Sequence, residues 1–139
     1  MTVPKQIILG AFEVVIFPDF HMDTLKAKID TGAYTGALHC TKISEKQTDK
    51  GPILTFSPFD HPEVVIEEDE FVVNHVRSSN GTAEPRYFIT TNIVIQDVTY
   101  PILLSLADRS EMKWPVLIGR RFLLQNNFVV DVSKKRPVS

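Results

Sequence analysis

Asp30, Thr31, Gly32 and Ala33 form the stretch of this chain best equipped for chemistry. They follow the alternating run Leu25, Lys26, Ala27, Lys28, Ile29, so a strand would deliver the carboxylate into a tight glycine turn. Two carboxylates held close together cannot both ionise, and one keeps its proton while the other stays charged. Such a pair activates a water as a base and protonates a leaving group as an acid, which is the chemistry of amide hydrolysis. The stretch occurs once. This chemistry therefore requires a homodimer in which each protomer supplies one Asp30.

The neighbours of Asp30 have readable roles in such a site. The Thr31 hydroxyl both donates and accepts, and can bridge to the facing loop and hold the two carboxylates in register. Gly32 lets its backbone N–H approach Asp30 with no side chain in the way. Taken alone, the triplet is also an ordinary turn after a strand. A second element gives it context: Val116, Leu117 and Ile118 form an apolar strand that ends at Gly119 and opens into a short helix over 120–125.

The elements that must position these residues are β-type. Runs at 7–17, 23–29, 36–43, 64–76, 86–96 and 98–106 are rich in Val, Ile, Phe and Thr, and the chain turns extended again at 128–132. Turn chemistry separates them at Pro18-Asp19, Asp49-Lys50-Gly51-Pro52, 57–62 and 78–81. The expectation is an all-β barrel or sandwich with one short helix near the C-terminal end. With 139 residues and 43% hydrophobic content, the chain fits a single domain whose core spans about 7–132. The tail at 133–139 reads as a frayed polar terminus.

Composition narrows the partners. Fifteen basic against 17 acidic residues give a net charge of −2, which provides no electrostatic footprint for nucleic acid or an anionic membrane. No apolar run reaches membrane-spanning length and no basic start leads into an apolar stretch. A lone Cys40 excludes an internal disulfide and fits a reducing compartment, so the expected location is cytoplasmic. The four histidines, His21, His39, His61 and His75, form no His-Glu-x-x-His pattern. His39 and Cys40 are adjacent in a strand and point to opposite faces, so no metal site is expected. Phosphate-cradling glycine loops are absent as well, and no cofactor is expected.

Several separated motifs, in order, resemble the RimB-type, retropepsin-like family often labelled "ATP-dependent zinc protease". They are Lys28 to Ala33, Ala37-Leu38-His39, His61-Pro62, Val76 to Gly81, Glu84-Pro85-Arg86, Met112, Leu117 to Arg121 and Val130-Asp131. The resemblance spans roughly 10–132 and implies an acid-protease barrel that pairs about a two-fold axis, with Asp30, Thr31 and Gly32 catalytic. Some relatives are associated with glutamate ligases and with trimming of added glutamates. Tyr34 and Gly36 stand where relatives tend to carry a charged or small polar residue and then serine, so substrate preference is not carried over from them.

The stretch 78–81 separates two strand-like runs and reads as a hairpin tip that closes over a bound peptide, with Ala33, Ser79, Asn80 and Gly81 near substrate. Arg77 and Arg86 match the family motif, as does Arg120. Facing the cleft, these guanidinium groups would favour an acidic peptide or protein substrate, because they grip carboxylates in bidentate fashion. The expected function is an aspartic peptidase acting on a peptide or isopeptide bond. The competing reading is a catalytically silent dimeric module that binds peptides by strand addition.

Overall fold

The computed structural model describes residues 6–77, 80–108 and 113–134. They form eleven strands, β1 (Ile8–Leu9), β2 (Phe12–Ile16), β3 (Leu25–Ile29), β4 (Gly36–Thr48), β5 (Gly51–Pro58), β6 (Ile66–Glu68), β7 (Val72–Arg77), β8 (Ala83–Ile95), β9 (Val98–Ala107), β10 (Val116–Ile118) and β11 (Val129–Val130). One α-helix, α1 (Arg120–Gln125), sits between the last two strands, and a single 3-10 turn covers Pro18–Phe20. The protein is mostly β with one short helix near the C-terminal end, as its alternating runs predict.

Nine strands make one sheet in the order β10-β3-β2-β8-β9-β4-β5-β6, with β7 on β8. Because β10 pairs with β4 as well as with β3, the ladder β3-β2-β8-β9-β4-β10 returns on itself. β4 serves two partners. Its first residues, Gly36 to His39, run parallel to β9, and from Cys40 it pairs antiparallel with β5, with an irregularity between Thr41 and Ser44. Lys42, at φ 54°, marks the break.

Three expected elements come out differently, each through a choice of partner. The run 7–17 splits because β1 joins β11 while β2 joins β3 and β8. At the split, Ala11 N–H donates to the Lys134 carbonyl at 2.8 Å, and a Cβ on Gly10 would run into that same carbonyl. The run 64–76 splits at Asp69-Glu70, since β6 belongs to β5 and β7 to β8. β5 replaces what its glycine and prolines announce as breakers: Pro52 and Pro58 lie at the ends of the strand, where proline disturbs the ladder least. The β8–β9 hairpin turns through Gln96 and Asp97, both left-handed (φ 49° and 67°), as a two-residue turn of this twist requires.

The core fills one face of the curved sheet. Phe17 stacks on Phe20 at 5.3 Å, Phe20 meets Phe56 edge-on at 5.9 Å and Phe59 closes the cluster. Leu38, Leu54, Ile93, Leu104, Val116 and Ile118 are wholly buried around it. A second cluster of Tyr100, Phe122 and Phe128 pins α1 to the sheet, with ring centroids 5.2 to 5.8 Å apart. Cys40 is wholly buried, and burial reinforced by nearby Asp108 drives its thiol pKa far upward, which leaves it inert as a nucleophile.

Candidate active site

β3 carries the acid. Its ladder with β10 continues past the last strand residue, because Asp30 N–H donates to the Ile118 carbonyl at 2.8 Å. The chain then turns, with Ala33 N–H on the Asp30 carbonyl at 3.2 Å. Gly32 N–H donates to Asp30 Oδ1 at 3.0 Å, a charge-assisted bond that orients the carboxylate. Oδ2 accepts no hydrogen bond among the described residues. The carboxylate is half-buried while Thr31 and Gly32 at the tip are exposed, so the loop presents one aspartate outward from the end of a rigid strand.

Gly119 explains how the loop is held. The start of α1 has no side-chain cap, and the loop supplies what is missing: Arg120 N–H donates to the Ala33 carbonyl at 2.7 Å and Arg121 N–H to the Tyr34 carbonyl at 2.9 Å. The two backbones touch. A Cβ at Gly119 would come within 2.7 Å of Gly36 N, Thr35 C and Tyr34 O, and one at Gly36 would strike the Leu117 carbonyl. Both glycines are therefore needed for close backbone approach.

Arg120 ties the loop a second time. Its Nη1 donates to the Thr31 carbonyl at 3.0 Å, and its guanidinium lies 5.6 Å from the centre of the Tyr34 ring. Tyr34 is 56% exposed, so the pair spans the outer surface of the loop. Sequence reasoning missed Tyr34 as a partner of Arg120. The readable signal was a helix that starts without Ser, Thr, Asp or Asn and so needs its cap from elsewhere.

Asp30, Thr31, Gly32, Ala33 and Arg120 thus come together, while the remaining candidates lie on the β7–β8 hairpin. Arg77 stands opposite Ala83 and Arg86 opposite Asn74. By strand alternation these two arginines occupy opposite faces of the hairpin. At the tip, Asn80 Oδ1 accepts the Thr82 N–H at 3.0 Å and Gly81 is left-handed at φ 85°. Ser79 lies outside the described residues, as does Met112.

The histidines are dispersed. His39 Nε2 is 3.2 Å from Asp60 Oδ1 and its buried Nδ1 has no partner among the described residues, while His61 Nδ1 meets Glu63 Oε1 at 3.0 Å on the surface. Hydrogen bonding to the backbone and to His61 holds the Glu63 carboxyl below its usual range. Among the described residues, no three His, Cys, Asp or Glu side chains gather as a metal site would require. No helix among them is long and apolar enough to cross a membrane.

Comparison with known proteins supplies a family. Residues 8–138 match the family model described as the retropepsin-like aspartic endopeptidase RimB. Among curated proteins, a probable alpha-L-glutamate ligase of Parasynechococcus marenigrum is 32% identical over 127 residues, 86% of this chain and 27% of the relative. Another from Shewanella pealeana is 29% identical over 137 residues, 94% of this chain and 29% of the relative. The chain therefore spans under a third of these ligases. Among solved structures, a Legionella pneumophila protein of unknown function, Lpg0085, superposes with TM-score 0.71 at 28% identity, covering 94% of this chain and 97% of that one. With residues 8–138 of its 139 matching that family model, the chain belongs to the RimB-like family of retropepsin-like aspartic endopeptidases.

Proposed function

We propose that this protein is an aspartic peptidase that works as a homodimer, closing an acid-protease barrel pair around one Asp30 from each protomer. The observation that carries the reading is the Asp30 loop: one outward carboxylate, oriented by Gly32 N–H and backed by Gly119, at the end of a strand. A single carboxylate cannot act as both acid and base, and a symmetry mate supplies the other. In the ground state the two share a proton. The ionised one takes a proton from water, whose oxygen attacks the carbonyl carbon, and the protonated one donates to the carbonyl oxygen. Collapse of the tetrahedral intermediate passes a proton to the leaving nitrogen, and the carboxyl and the amine depart.

The Thr31 hydroxyl, exposed at the loop tip, bridges to the partner's loop in this reading, and the β7–β8 hairpin with Asn80 and Gly81 at its tip covers the substrate. The substrate class is a glutamate-rich or glutamylated protein, cleaved at a peptide or isopeptide bond. Supporting it, the relatives named as glutamate ligases contain a stretch like this chain within a much longer protein. A hydrolase beside a ligase would remove what the ligase adds.

A shared site predicts a concentration dependence. Below the dimer dissociation constant, the rate of cleavage of a glutamate-rich peptide should rise with the square of protein concentration, and above it linearly. Sedimentation across the same range should show the monomer–dimer transition at the same midpoint. Strictly linear activity down to concentrations where the protein sediments as a monomer would remove the shared-site mechanism.

Arg120 separates two roles for the loop's guanidinium. Since it is taken up by Thr31 and Tyr34, Arg120→Ala should lower kcat roughly tenfold and move KM by less than about twofold, as expected for loss of loop positioning. A rise in KM at constant kcat would instead make Arg120 a substrate ligand.

A further inference from the structure

Strand register aligns Phe12 with Lys28, Lys28 with Leu117 and Leu117 with Ala37. Cross-strand partners share a face, and the residues between them, Ala27, Val116 and Leu38, are buried in the core. The row therefore lies on the face turned away from the core. Alternation carries that face along β3 to the catalytic residue, because the ladder extends to Asp30 through its bond to the Ile118 carbonyl. Lys26, Lys28 and Asp30 stand in line on it, with roughly 6.5 Å between successive members.

The two lysines are in different states. Lys26 Nζ sits 4.7 Å from the centre of the Phe12 ring and 4.5 Å from that of Trp114, whose own centroids are 4.8 Å apart. Cation–π attraction from both rings fixes that charge in place. Lys28 is exposed, and among the described residues the ion pairs are His39 with Asp60 and His61 with Glu63. Among these residues it therefore has no carboxylate partner, Asp30 included. Half-buried Phe12 and Leu117 flank it, so a carboxylate arriving there would meet the ammonium in a setting less screened than open water. Arg120, the cation bonded to the Thr31 carbonyl, is already engaged.

We infer that Lys28 determines specificity in the Asp30 cleft, receiving the carboxylate of an acidic substrate side chain next to the bond that is cut, with Lys26 as a fixed second charge behind it. The inference rests on the proposed hydrolytic role of Asp30 for its setting, but it concerns charge recognition alone. A charge-assisted bond of this kind corresponds to about tenfold discrimination.

Two assays keep the inference separable from the mechanism. In the first, kcat/KM is measured for matched quenched peptides bearing four glutamates or four glutamines; the glutamate peptide should be favoured about tenfold by the parent protein. Lys28→Met should bring that ratio near unity, Lys28→Arg should keep it and Lys28→Glu should invert it. In the second, the same peptides are titrated by fluorescence anisotropy against Asp30→Asn protein with and without Lys28→Met. Loss of the glutamate preference on Lys28→Met in binding supports the role of Lys28 even if neither peptide is cut, in which case only the hydrolytic reading fails. A preference that survives Lys28→Met in either assay, or equal affinity of both peptides for the parent site, overturns the inference.

Discussion

Asp30→Asn should abolish hydrolysis, lowering kcat by roughly a thousandfold or more, while the protein folds and self-associates as before. The asparagine keeps an oxygen at the Oδ1 position, so the Gly32 N–H that donates there at 3.0 Å retains its acceptor. The side chain is half-buried at the loop surface, and the exchange should cost no more than about 1 kcal/mol of stability. What it removes is the ionisable group: an amide neither takes a proton from water nor holds one for the carbonyl oxygen. In the proposed dimer two asparagines bring no charge to the axis, so association should be unchanged. Peptide cleavage measured beside thermal melting and sedimentation checks all three expectations. Turnover retained by the folded variant would sink the aspartic mechanism, whereas no cleavage by the folded parent would leave a peptide-binding module as the reading of the fold.

Gly119→Ala should strongly destabilise the packing of the loop against α1. Its new Cβ would lie 2.7 Å from Gly36 N, Thr35 C and Tyr34 O. All three are backbone atoms, so no side-chain rotation relieves the contact. Relief requires moving α1 away from the loop, which stretches the bonds from Arg120 N–H to the Ala33 carbonyl and from Arg121 N–H to the Tyr34 carbonyl. Overpacking of this kind costs about 3 kcal/mol, equivalent to a fall in Tm of roughly 10 °C for a domain of this size. Activity should fall further than stability, because the displaced loop is the one that aims Asp30. A melting temperature within about 2 °C of the parent would show that the loop and helix start are not packed this tightly.

Much of the β architecture was legible because alternation of apolar residues is a local signal. The runs at 23–29, 86–96 and 98–106 correspond to β3, β8 and β9, and the helix at 120–125 matches α1. The misreadings share one cause. Neither the division of 7–17 at Gly10 nor that of 64–76 at Asp69-Glu70 changes the local pattern; each arises because the two halves pair with different strands far away in sequence. β5 was hidden by Gly51, Pro52 and Pro58, which mark turns in isolation yet are tolerated at strand ends.

The site divides along the same line. That one Asp-Thr-Gly turn follows a strand and that an apolar strand ending in Gly119 opens a helix was legible along the chain, because strand periodicity and glycine turns are written in neighbouring residues. The folded arrangement alone brings Gly119 against Gly36, lets Arg120 span the loop from Thr31 to Tyr34, and sets Lys28 on one face with Asp30 while Arg77 and Arg86 stand on opposite faces of their hairpin. Those relations depend on register between strands distant along the chain, and a shift of one residue would send every side chain of a strand to the other face.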